Sequence, residues 1–151
     1  MKGGILIIDY GSQYTQLIAR RIREFNVYSE IHPYNKVNQK LLDLLKPKGL
    51  ILSGGPNSIL DKNSPKIPKC IINLSKPILG ICYGLQLLIH NNGGKITKSS
   101  IREYGHAKLK ILRSSKIIPK EWNKKSPNVW MSHGDSISYV SKKFQIIAKS
   151  N

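Results

Sequence analysis

The sequence predicts an α/β fold: a mostly parallel twisted sheet flanked by helices, followed by a C-terminal antiparallel meander. Three observations predict it. Short β-branched apolar runs alternate with segments of helical spacing as far as residue 95, the order that builds parallel sheets covered by helices. Those runs are nearly continuous in apolar residues, as strands buried on both faces are. Beyond residue 95 the segments turn short, alternating and punctuated by turn residues, the pattern of antiparallel strands.

GILIID at 4–9 is the first strand, too short and too quickly closed by a carboxylate to be a signal peptide or membrane span. GSQ follows as a turn, with Ser12 as the expected N-cap of a helix over 14–25. In that helix Leu17, Ile18, Ile22 and Phe25 recur at helical spacing, and Arg20, Arg21, Arg23 and Glu24 take the other face. VYSEIH at 27–32 is a second strand, and Leu41, Leu42, Leu44 and Leu45 mark a short helix ended by Pro47. GLILS at 49–53 is a third strand that runs into Gly-Gly-Pro. A helical segment at 70–74 precedes PILGI at 77–81, the fourth strand. The next helix runs over 84–90 and closes on NNGG, with a glycine where helices are capped. KIT, HAKLKILR, NVWMSH, SISYV and FQIIAK form the meander. No repeat, linker or low-complexity stretch interrupts this order, so 1–151 reads as one domain.

The chain carries 25 Lys and Arg against 8 Asp and Glu, a formal net charge of +17. Such an excess favours salt-sensitive contact with polyanions. The lysines are scattered, however, with no arginine block and no interleaved aromatics, and isoleucine and asparagine are abundant as well. The charge therefore reads as compositional bias, and neither nucleic acid nor a membrane is an expected partner. Two cysteines, Cys70 and Cys82, make no disulfide framework. The expected setting is the reducing cytoplasm.

Two turns carry chemistry. Gly80-Ile81-Cys82-Tyr83-Gly84 has the form of a nucleophile elbow, a sharp strand-to-helix turn that lifts a reactive side chain clear of a sheet. The helix that follows directs its positive end and free N–H groups at the sulfur, which favours thiolate. The Tyr83 N–H is placed to help hold an oxyanion. Cys82 as a small core residue is the alternative. Ser53-Gly54-Gly55-Pro56 also follows a strand, and its glycines let backbone N–H groups approach a ligand. Both turns fall at the edge where open α/β sheets bind ligands.

DYGSQYTQLIARRIRE, LSGGP, GICYGLQ, REYGHAKL and VWMSHGD resemble, in order and over nearly the whole chain, the N-terminal class I glutamine amidotransferase domain of GMP synthases. The resemblance implies a flavodoxin-like amidotransferase fold and makes Cys82 the nucleophile that attacks the glutamine amide and forms a glutamyl thioester. It places the oxyanion donors at Gly55 and Tyr83. It assigns glutamine binding to Gly54, Gln86, Ser132, His133 and Gly134. L-glutamine is the implied substrate, and no metal or cofactor is implied in this chain. ATP would be used by a separate synthetase chain that aminates xanthosine monophosphate to GMP with the released ammonia.

In the family the base is the histidine of a Phe-His-Pro-Glu stretch, oriented by the glutamate. No His-Pro-Glu occurs in these 151 residues. The expectation is a domain truncated before the triad His and Glu, incomplete in its C-terminal part and lacking the ATP pyrophosphatase domain. Of His32, His90, His106 and His133, the last is the least remote substitute. His90 lies eight residues beyond Cys82 on one helix, about 12 Å along the axis. The alternative to an amidotransferase is a catalytically dead remnant with at most glutamine or partner binding.

Overall fold

The computed structural model describes residues 3–124 and 126–150, with side chains described except at 99–104, 123, 124, 132 and 133. The chain divides into two compact units, 1–91 and 92–151.

The first unit is built on four parallel strands in the order β2-β1-β3-β4. They are β1 (Ile5–Asp9), β2 (Ser29–Pro33), β3 (Gly49–Leu52) and β4 (Ile78–Gly80). Helices α1 (Thr15–Glu24), α2 (Gln39–Leu45), α3 (Lys69–Ile72) and α4 (Tyr83–Asn91) alternate with them. β1 and β3 lie inside and pair in register from Ile5 opposite Gly49 to Ile8 opposite Leu52. Their middle residues Leu6, Ile7, Ile8, Leu50 and Leu52 are buried almost completely. Each such side chain contributes about 1.5–3 kcal/mol relative to exposure, so this pair is the heart of the core. β4 pairs only with β3 among the described strands. With one neighbour it is not doubly buried, and its Leu79 is 47% exposed.

The helix caps show where local chemistry decides. Asn38 caps α2, its side chain accepting from the Leu41 N–H at 3.0 Å, as short polar side chains do at helix starts. Ser12 does not cap α1. The N-cap position is Tyr14, and Ser12 instead closes a tight turn by accepting the Tyr14 N–H at 3.1 Å. The Thr15 hydroxyl meanwhile donates to Asp9 at 2.7 Å. That bond ties the first turn of α1 to the end of β1 and starts the helix later than the hydroxyl of Ser12 would.

The buried stripe of α1 also differs from the one its apolar residues suggest. Thr15 and Ala19 are the buried positions, and Ile18 and Ile22 pack beside them on Ile7 and Ile51. Leu17 and Phe25 are exposed, Phe25 by 80%. Small residues at 15 and 19 let the helix axis come close to the sheet, so its seam runs along them and turns the larger chains outward. α4 begins one residue before the expected start and is followed by Gly93 at φ +85°, the left-handed conformation that glycine supplies beyond helix ends.

The second unit is antiparallel, as the alternation predicts, but its five segments merge into three strands. β5 (Lys95–Ile111) and β6 (Asn128–Tyr139) are long, and β7 (Ala148–Ser150) is short. The order is β6-β5-β7, with β5 between the other two rather than at one side. Irregularities at Lys95/Ile96 and between Lys98 and Glu103 bend the β5–β6 ladder. These bends let turn-like residues stay within one strand. His106 and Trp130, directly opposed in that ladder, meet edge to face at 5.1 Å.

Candidate active site

The chain leaves β1, β3 and β4 at the same edge of the parallel sheet, so three turns crowd there. The turn after β4 is strained. Cys82 has φ +47°, a left-handed conformation uncommon for a residue with a side chain and concentrated at functional sites. It is held by backbone bonds on both sides. The Ile81 N–H donates to the Leu52 carbonyl at 3.0 Å, the Gly84 N–H is shared between the Ser53 and Ile81 carbonyls at 3.0 Å each, and the Gln86 N–H donates to the Cys82 carbonyl at 3.0 Å.

Gly84 is required by contact rather than by φ. A Cβ there would stand 2.3 Å from the Leu52 carbonyl oxygen and 2.6 Å from the Leu52 Cβ. The first turn of α4 therefore rests on the end of β3 with no side chain between. The turn after β3 is similar. A Cβ on Gly55 would stand 2.5 Å from the Tyr10 carbonyl, so only glycine lets that loop lie against the chain leaving β1. Ser53 fastens the same corner: its hydroxyl accepts the Tyr10 N–H at 3.0 Å and lies 2.8 Å from the Gly54 carbonyl.

These contacts bring Cys82 and the glycine loop together. A Cβ on Gly54 would lie 3.6 Å from the Cys82 Cβ, so Gly54 is the thiol's immediate neighbour. Cys82 is exposed and free of any disulfide. Desolvation by the surrounding turns pushes its thiol above the ordinary cysteine value, against the pull of the α4 N-terminus. Tyr83 is buried, its hydroxyl donating to the Pro65 carbonyl at 2.6 Å and its ring tilted against Tyr10 at 5.4 Å. Its backbone N–H, in the first turn of α4, is one of the donors that a helix leaves without an internal partner. Gln86 sits one turn along the same helix and is buried.

Gly134 lies on β6, and no described residue comes within 4 Å of where its Cβ would stand. The backbone of Ser132 and His133 is in the same strand, opposite Tyr104 and Glu103. Their side chains, which carry the expected glutamine contacts, lie outside the described residues. Sequence reasoning missed Ser12. Its Oγ lies 3.6 Å from the same Gly54 Cβ position that neighbours Cys82, which places a hydroxyl at the rim of the elbow. A serine between a strand and a helix reads first as a cap, and only the pairing of β1 with β3 brings it beside Gly54.

The two histidines of the first unit stand away from the thiol. His32 is on β2, with its Nε2 2.9 Å from Glu30 Oε2. β2 is three strand spacings from β4, about 14 Å. His90 is exposed near the far end of α4. No group of three or more His, Cys, Asp or Glu able to hold a metal ion exists among the described residues. Among them, too, no helix is long and apolar enough to cross a membrane.

An exposed cysteine on a left-handed strand-to-helix turn, with a glycine loop beside it on an open parallel sheet, defines a class of nucleophile-bearing α/β proteins. The family model for glutamine amidotransferase class-I matches residues 6–151, and the chain belongs to that family. It is 50% identical over 146 residues to the GMP synthase [glutamine-hydrolyzing] of Brachyspira hyodysenteriae, covering 97% of this chain. It is 48% identical over 147 residues to the enzyme of the same name from Bacillus subtilis. In each case the chain spans 28% of the relative's length. Among solved structures it matches a Thermoplasma acidophilum protein described as a GMP synthase subunit. The TM-score is 0.76 at 29% identity, over 99% of this chain and 73% of that one.

Proposed function

We propose that residues 1–151 are a glutamine amidotransferase domain of GMP synthase type, which binds L-glutamine and releases its amide nitrogen as ammonia through Cys82. The observation that carries this reading is the left-handed turn at Cys82 with Gly54 against it. In the reaction the thiolate adds to the amide carbon of glutamine. The carbonyl oxygen takes the charge and is held by the N–H groups of Gly55 and Tyr83, donors of the kind worth about 2.7–4 kcal/mol each in the transition state. The C–N bond then breaks, the nitrogen leaves as ammonia after gaining a proton, and a glutamyl thioester remains on Cys82. Water adds to the thioester and glutamate departs. Gly54 and Gln86 of the first unit are assigned to the substrate by the family resemblance, which also assigns it Ser132, His133 and Gly134 of the second unit.

The thiol proton must go to a base. Neither histidine of the first unit stands near enough to take it, and the raised thiol value makes that base more important rather than less. The full reading therefore needs a base of the kind the family takes from its Phe-His-Pro-Glu stretch, and no His-Pro-Glu occurs in these 151 residues. That reading assigns the ammonia to a synthetase that uses ATP to aminate xanthosine monophosphate. Both GMP synthase relatives being longer than this chain supports a synthetase partner or domain. Two free cysteines fit a reducing, cytoplasmic setting. That neither His32 nor His90 of the first unit stands near the thiol favours a second reading, in which the domain binds glutamine without turning it over.

The test is glutamate release by the purified chain and by Cys82→Ala, alongside labelling of Cys82 by a chloroketone analogue of glutamine. Release that disappears in the variant supports the enzyme. Saturable labelling without release supports the binding-only reading. A thiol labelled no faster than Cys70, with no glutamine protection, overturns both.

A further inference from the structure

A second concavity opens on the first unit, lined by residues other than those of the elbow. It lies between the chain leaving β2 and the segment 63–70, with a volume of about 560 Å³. Small-molecule sites commonly occupy about 300–1,000 Å³. Tyr34 lines it, and that ring is stacked on Tyr10 at 5.4 Å and 10°. One face of Tyr34 is thus covered and the ring is held still. Lys66 and Lys69 also line the cleft. Both are exposed, and neither enters an ion pair among the described residues. Lys66 donates one hydrogen bond to Ser64 at 2.7 Å, which leaves two ammonium donors unspent. Asn38 and Asn63 add amide groups, and no carboxylate lines the cavity among the described residues. Val37 and Ile67, both buried, provide apolar surface.

We propose that this cleft binds a nucleoside monophosphate, with the phosphate on Lys66 and Lys69 and the base against Tyr34. Two uncompensated ammonium groups match a dianion. A fixed aromatic ring beside apolar side chains matches a planar heterocycle. A bare phosphate would use the lysines and leave the ring idle. Occupancy would also steady the segment 63–70, whose Pro65 carbonyl is held by the hydroxyl of Tyr83, the residue after Cys82.

The experiment is calorimetric titration of the full chain with adenosine monophosphate, and separately with inorganic phosphate, at physiological ionic strength. Saturable one-site binding of the nucleotide is expected, at least roughly tenfold tighter than phosphate. Lys66→Glu with Lys69→Glu should weaken the nucleotide roughly tenfold or more, and Tyr34→Ala should weaken the nucleotide while leaving phosphate unchanged. Lys108→Glu with Lys110→Glu, the same charge change on β5, should leave both unchanged. If the double glutamate variant loses its circular dichroism signature, Lys66→Gln with Lys69→Gln replaces it. Absence of saturable nucleotide binding, equal losses in the two charge-reversed pairs, or phosphate bound as tightly as the nucleotide would each overturn the proposal.

Discussion

Gly84→Ala tests the elbow most directly. The methyl group would meet the Leu52 carbonyl oxygen at 2.3 Å, which is 1.1 Å short of an ordinary 3.4 Å contact. Neither partner can swing aside. The oxygen belongs to a central strand and accepts the Ile81 N–H, and the Leu52 side chain is fully buried. The first turn of α4 must therefore retreat by about an ångström, stretching the shared bond from Gly84 N–H to Ser53 and Ile81. Overpacking of this size costs about 1–3 kcal/mol. For a chain of this length that lowers Tm by about 2–12 °C. The same retreat moves Cys82 away from Gly54. A misplacement of about 1 Å at a reacting atom can cost about 100-fold in rate, so Cys82 labelling by the glutamine chloroketone should slow by about that factor. Thermal melting and single-thiol labelling read the two effects separately. Gly134→Ala, where nothing among the described residues lies within 4 Å of the new methyl, is the stability control and should shift Tm by no more than about 2 °C. A Gly84→Ala protein with wild-type Tm and wild-type labelling would refute the claim that α4 rests directly on β3.

Three further outcomes are expected. Desolvation raises the Cys82 thiol above the ordinary cysteine value, so its thiolate fraction should grow only as the solution turns alkaline. Its labelling rate should keep climbing as pH rises past about 8.5, and a plateau reached near pH 7 would show instead that a base or cation dominates. The Tyr10 hydroxyl is buried with no partner among the described residues, so Tyr10→Phe removes an unsatisfied group worth about 1–3 kcal/mol. A denaturant midpoint that moves up is expected, and a clear drop would mean that the hydroxyl has a partner. Lys46 ends α2 in a left-handed conformation at φ +46°. Lys46→Gly should stabilise the chain by up to about 1 kcal/mol, and urea unfolding that shows a loss would contradict the strain.

The parallel sheet, its four strands, the alternating helices and the two glycine turns at its edge were legible in the amino-acid order alone. These features rest on local rules: unbroken apolar runs mark strands buried on both faces, and glycine beside a strand end marks a backbone that must pass close to another. How distant segments share space came from the folded chain. Thr15 and Ala19, rather than Leu17 and Phe25, face the sheet because closeness of approach outweighs side-chain size. Ser12 stands at the rim of the elbow instead of capping a helix because β1 and β3 are neighbours. β5 lies between β6 and β7 because ladder pairing is non-local and no pattern within a strand names its partner. The thiol at 82 was legible from its neighbours in the chain, whereas its value above the ordinary range comes from atoms brought around it by folding.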